Sequence, residues 1–503
     1  MSVGAIALLV MLVTAGLFAL LGIIHTSKTT LNLEDYMVSR NHFGTWMALA
    51  TIVTSAMGVW ILFGPPQVGA TSGIAGIIGY CVGSAAPIIA FAKIGPRIRQ
   101  LMPNGHSLNE FVLYRFGNAM YLLTLVIIVF YMFIYLAAEL TAIAKATEII
   151  AGVPLYVTAL IVITATFIYT TYGGLGAAVF TDAIQFVVII PLLIVSLIVA
   201  VVALGGWEAA LQPVQIKAPE LFNLVNIDAI KFGASLVIAI LAAEIFNQSN
   251  WQRIYACRDD RTVRRAFLGS TIAIIPMIFL GGLLGILAMH FGFNDDRAFF
   301  SLLQKLSLPL WFTMSVLVLA LALVMSTLSA LLNGIASVFT IDLIRLFPQM
   351  QSSGLLRTSR ALTIAAGIPA IAIAAQGYDV LYLFLLADLI CAGAVFPVVY
   401  GMYSRKLTGA IAVFSSVSGI AAGALFFPKP DFTAWLNIPY GGDLLVSFAA
   451  AVVISAGIVL VWTAMIRSDR LFDFALLSDR VRTYTDPSAT FTEKISRPDS
   501  RRF

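Results

Sequence analysis

The sequence predicts an all-α, polytopic membrane protein with about thirteen transmembrane helices. Three observations lead there. Of the 503 residues, 60% are hydrophobic and 11% are charged, against roughly 45–50% and 25% in an average soluble domain. The mean hydropathy is +0.96 over 54.1 kDa, which leaves too few polar side chains to coat a surface facing water. Apolar runs of about 20 residues, enough to cross a bilayer core, recur along the chain between short polar breaks. These features exclude a soluble enzyme, a nucleic-acid binder and a disordered scaffold.

Taken in order between polar, Pro and Gly breaks, the runs fall at 3–24, 45–64, 73–95, 119–147, 154–172, 178–204, 229–250, 266–290, 308–344, 358–377, 379–403, 408–427 and 441–466. The first lacks a basic leader and a small-residue cleavage site, so it is expected to persist as a helix and not to be removed as a signal peptide. Residues 1–466 then form one transmembrane domain. The polar stretch 467–503, with Pro487 and Pro498, reads as a solvated cytoplasmic tail.

Charge gives the orientation. With thirteen crossings and the N-terminus outside, 24 of the 30 Lys and Arg fall on the inner side, among them Arg40, Arg97, Arg99, Arg115, Arg253 and Arg258. Cytoplasmic loops collect such residues, so the C-terminus is expected inside and the net charge of +5 needs no anionic partner. Cys81, Cys257 and Cys391 are scattered and suggest neither a disulfide framework nor a metal site. The four histidines are isolated, and no GxxxxGK[ST] loop points to an ATP-driven motor.

Transporters place sites where helices unwind at matching positions of an internal repeat. Span two runs from Ala50 through Thr51, Thr54 and Ser55 to Met57 and Gly58, then reaches Gly64-Pro65-Pro66. Span seven contains Glu244-Ile245-Phe246-Asn247-Gln248-Ser249-Asn250, a polar run that is costly in hydrocarbon unless it faces a cavity or a partner. Each of these spans starts a group of five, roughly 45–204 and 229–403, and an odd repeat length inverts the second copy. Gly73, Gly76, Gly79, Gly281, Gly282 and Gly285 equally suit close helix packing. Span nine holds Ser326, Thr327 and Ser329. Hydroxyls facing unwound carbonyls make a neutral oxygen cage suited to sodium, although they can also bond back to the preceding turn.

At these residues the chain resembles the sodium/solute symporter family, whose members include bacterial proline and sugar transporters and relatives for urea and carboxylates. Tyr172-Gly173-Gly174 with Thr181, Asp182 and Gln185, Asn247-Gln248 with Gln252-Arg253, and Ser326-Thr327-Leu328-Ser329 with Asn333 and Asp342 are similar to its motifs. The resemblance implies a leucine-transporter-like five-plus-five inverted repeat, sodium coupling and alternating access. It also implies a sodium site of the Ser326 and Thr327 side chains with the carbonyls of Thr54, Met57 and Leu323, and a place for Asp182 on the inner ion path. Ala56 stands where proline-transporting relatives carry aspartate, which weighs against proline.

Glu139, Glu244 and Asp388 interrupt apolar runs. Intramembrane acids are expensive and suggest function, and a structural role is equally open to each. Trp60, Asn247, Glu244 and Asp388 are the candidate solute residues, and acids in the cavity would favour a cationic solute or a proton. The expected activity is import of a small organic solute with Na+ across a plasma membrane, a bacterial inner membrane, with no cofactor beyond the ion. Neither a nucleic acid nor an obligate protein partner is expected beside solute, ion and lipid bilayer. Proton coupling is the nearest rival. A passive channel lacks a filter such as TVGYG, and a sensor would need a separate signalling partner.

Overall fold

In hydrocarbon every backbone N–H and C=O must find a partner inside its own segment, and the long Leu-, Ile-, Val- and Ala-rich runs do so by coiling into helices. The computed structural model describes residues 2–26, 33–347, 349–350, 352–466 and 471–481. Its helices are α1 (Val3–Thr26), α2 (Leu33–Met37), α3 (Thr45–Ala56), α4 (Gly64–Leu101), α5 (Leu108–Phe116) and α6 (Asn118–Ala151). Next come α7 (Leu155–Ala203), α8 (Trp207–Lys217), α9 (Ile227–Glu244), α10 (Gln248–Ala256), α11 (Asp260–Ala288) and α12 (Ala298–Lys305). The chain closes with α13 (Leu310–Leu346), α14 (Ser352–Ala374), α15 (Val380–Tyr400), α16 (Gly409–Phe426), α17 (Leu444–Met465) and α18 (Ala475–Arg480). Among the described residues nine segments are long and apolar enough to cross a membrane alone. The pair α9 and α10, bent by 61°, makes a tenth, and Thr45–Ala56 and Leu155–Thr171 are shorter apolar helices.

All thirteen expected runs are helical, but three differ in detail. The second stops being α-helical at Ala56, and helix resumes at Gly64, through a stretch expected to be a break. The reason is that Pro65 and Pro66 occupy the first turn of α4, where a missing N–H costs nothing and the fixed φ favours helix. Runs five and six join into α7, kinked at Gly174 with φ 55°, a left-handed conformation that glycine adopts without steric cost. The seventh is broken at Ile245–Asn247. The expected tail lies outside the described residues except for 471–481.

Helices α4 and α11 approach through glycine. A Cβ on Gly285 would run into the Pro66 carbonyl, and one on Gly79 into the Gly233 backbone. Close packing therefore accounts for these glycines. Among the nine long apolar segments α13 is the most enclosed, with every residue from Leu319 to Val338 buried. At one end of the bundle the basic loop residues grip backbone carbonyls: Arg40 those of Pro103 and Gly105, Arg99 those of Ile254 and Cys257, Arg115 those of Gly401 and Ser404. At the other end Lys145 pairs with Asp296, and Gln67 donates to Asp379 at 2.9 Å.

Candidate functional site

Where α3 ends, Met57 leaves helical conformation at φ −95°, ψ 85° and Gly58 is extended. Among the described residues no hydrogen bond reaches the carbonyl of Thr54 or of Met57. The segment resumes as a single 3-10 turn, Val59–Leu62, whose first N–H groups need acceptors. Glu139, reaching across from α6, supplies them. It accepts from Val59 N at 2.8 Å and from Trp60 N at 3.4 Å, while Gly58 lies so close that a side chain there would strike the carboxylate.

The second break is built from side chains. Asn247 caps α10 by accepting from Ser249 N at 3.1 Å and Ser249 Oγ at 2.6 Å. Trp251 Nε1 donates to the Ile245 carbonyl at 2.7 Å. Glu244 accepts from Tyr131 OH at 2.9 Å, Asn247 Nδ2 at 3.1 Å and Asn250 Nδ2 at 2.7 Å.

Between the two breaks lies a cavity walled by Met57, Trp60, Tyr80, Tyr131, Glu244 and Asp388, with Ser84, Asn250 and Phe384 beside them. Three of the four solute residues expected from sequence, Trp60, Glu244 and Asp388, face it. Asn247 does not line it, because its amide is committed to Glu244 and to the start of α10.

A second cluster surrounds Asp182 on α7. Its carboxylate accepts from Thr51 Oγ1 at 2.5 Å, Ser326 Oγ at 2.6 Å and Arg253 Nη2 at 3.2 Å, and Arg253 Nε also donates to Thr51 Oγ1 at 3.0 Å. Asp182 is fully buried. Arg253, counted by sequence with the inner loop, is likewise inside the bundle at 1% exposure. Its only sequence signal was the Gln252-Arg253 pair. Thr327 Oγ1, one residue from Ser326, is buried with no hydrogen-bond partner among the described residues. Ser329 Oγ bonds back to the Ser326 carbonyl at 2.8 Å, and Leu323 lies within the unbroken α13. Sequence reasoning did not foresee that Glu139 caps the broken segment.

A helical bundle in which two interrupted spans meet over a cavity, with a buried acid between neighbouring helices, has the architecture of a secondary transporter. The chain belongs to the sodium:solute symporter family, whose sequence model matches residues 36–419. It is 30% identical over 363 residues to the spermidine transporter DUR31 of Candida albicans, covering 69% of this chain and 65% of that protein's length. It is 27% identical to the sodium/proline symporter of Salmonella typhimurium, covering 69% of this chain and 73% of that one. In three dimensions it resembles a Na+-coupled sialic acid symporter with a TM-score of 0.76 at 18% identity, over 94% of this chain and all of that chain, a likeness of fold. The fold is thus leucine-transporter-like, and the protein is a Na+-coupled solute symporter in a membrane, not an enzyme.

Proposed function

We propose that this symport places the solute in the cavity between the broken spans and the sodium ion between α3 and α13. The ion's ligands are the carbonyls of Thr54, Met57 and Leu323 and the hydroxyls of Ser326 and Thr327. The observation that carries this is a set of buried oxygens with unused lone pairs: the Thr54 and Met57 carbonyls and Thr327 Oγ1 all lack hydrogen-bond partners among the described residues. Ser326 gives its proton to Asp182, which leaves its lone pairs for a cation, and the Leu323 carbonyl has a second lone pair beyond its helical bond. Hard monovalent cations favour such oxygen sets. Thr51 and Ser326 already share Asp182, so the next oxygen an ion meets on leaving the cage is that carboxylate, held by Arg253.

Sodium bridging the broken α3 to α13 favours one state of the repeat, and solute binding then shares that state. One sodium entering at about 100 mV contributes ~2.3 kcal/mol and a tenfold gradient ~1.4 kcal/mol, enough for roughly 500-fold accumulation of a neutral solute. The end of the bundle where Arg40, Arg99 and Arg115 gather is the cytoplasmic one by the positive-inside rule, with the N-terminus outside, the C-terminus inside and a bacterial inner membrane as the setting. Residues 1–466 act as one domain, with repeats at roughly 45–204 and 229–403 and the tail cytoplasmic. The relatives' names include a polyamine and an amino acid, so family membership leaves the solute open.

The test is sodium-dependent thermal stabilisation of the purified protein, with potassium at equal ionic strength as control. Wild type should be stabilised in a saturable way, and the Ser326→Ala/Thr327→Ala protein should need at least about tenfold more sodium, a loss of ~1.4 kcal/mol. Equal sodium dependence in both proteins removes the cage.

A further inference from the structure

We propose that the solute is an organic cation, a protonated alkyl amine whose ammonium group lies between Asp388 and Glu244 against the faces of Trp60 and Tyr80. The proposal rests on the cavity between the broken spans being the solute site. Asp388 is 4% exposed and borders that cavity, and among the described residues it has no hydrogen-bond or ion-pair partner. A buried carboxylate is tolerated when a cation completes it, yet the cavity wall contains no Lys, Arg or His. A cationic solute would supply the missing positive charge.

Glu244 points the same way. Its three partners, Tyr131, Asn247 and Asn250, all donate to it, which is the hydrogen-bond set of a carboxylate and needs no added proton. Ser84 Oγ, buried in the same wall without a partner among the described residues, offers an acceptor for a further N–H. The remaining surface is apolar, with aromatic rings set among aliphatic side chains. Trp60 and Tyr80 are stacked with centroids 5.5 Å apart, and Phe384 stands 6.1 Å from Trp60 and 4.8 Å from Tyr135. Such ring faces attract ammonium groups. An anion would meet two acids here, and a polyhydroxyl solute would leave most of its hydroxyls facing rings and aliphatic side chains.

Carrying an amine beside sodium also lets the membrane potential drive both charges inward.

The experiment is thermal unfolding of the purified full chain with n-butylamine and 1,4-diaminobutane, against uncharged 1-butanol and anionic butyrate, each in sodium and in potassium. The amines should stabilise the protein, more strongly in sodium, while 1-butanol and butyrate do not. Asp388→Asn should weaken amine binding by about 100-fold, as expected when one partner of a buried charge pair is removed. Amines without effect, or 1-butanol as effective as n-butylamine, overturn the proposal. If sodium alone still stabilises the protein in that case, the symport reading stands while this one falls. Loss of the sodium effect in wild type strikes the cage instead, and the amine comparison in potassium still decides this proposal. Should Asp388→Asn fail to fold, the charge comparison in wild type is sufficient.

Discussion

Glu139 accepts a hydrogen bond from the backbone N–H of Val59 at 2.8 Å, across 80 residues of sequence. That bond supplies the acceptor that helix geometry withdraws where α3 unwinds, so an intramembrane acid that looks functional in sequence is structural here. Glu139→Ala should leave two buried donors unpaired and cost about 1–3 kcal/mol. Glu139→Gln, which retains one acceptor oxygen, should cost less. Thermal unfolding in detergent checks the order, and an alanine variant as stable as wild type would refute the assignment.

Arg253 and Asp182 form a buried ion pair at 3.2 Å, with both side chains at most 1% exposed. Removing either partner strands the other's charge, which typically costs about 3–5 kcal/mol. Asp182→Asn and Arg253→Met are therefore each expected to destabilise strongly, whereas the double variant should lose much less than the two effects combined. A double-mutant cycle on unfolding free energies measures the coupling, and simple additivity would count against a working pair.

At the end of the bundle where Arg40, Arg99 and Arg115 gather, His106 lies between Glu34, at 2.8 Å from Nε2, and Glu110, at 3.2 Å from Nδ1, with Arg40 on the far side of Glu34. Burial alone disfavours the imidazolium, but the Glu110 and Glu34 carboxylates outweigh it and hold the ring's pKa up, from 6.5 to about 9. The sign follows from linkage. Because the folded value is raised, the stabilisation is complete below about pH 6.5 and is lost as pH rises through about 9. The unfolding temperature of wild type should fall between those two pH values, and His106→Gln should flatten that slope. A slope unchanged in the variant would show that other groups carry it.

The amino-acid sequence by itself determined the spans, the pairing of basic loops at one end and the positions of both helix breaks. The physical reason is local. Hydrocarbon demands long apolar helices, and only small or polar residues such as Gly58 and Asn247 let a helix stop inside it. The hydroxyls of Ser326 and Thr327 were legible for the same reason, since polar atoms cannot face lipid unexplained. Tertiary structure alone divided the labour among the acids. Glu139, Glu244 and Asp388 look alike as isolated carboxyls in apolar runs, yet one caps a broken segment, one is held by three donors and one is left facing the cavity. It also turned Asn247 away from the cavity and carried Arg253 inward to Asp182. A buried charge takes the partner that helix packing brings, and for Arg253 and Glu139 that partner stands 71 and 80 residues away, beyond the reach of any periodicity in the chain.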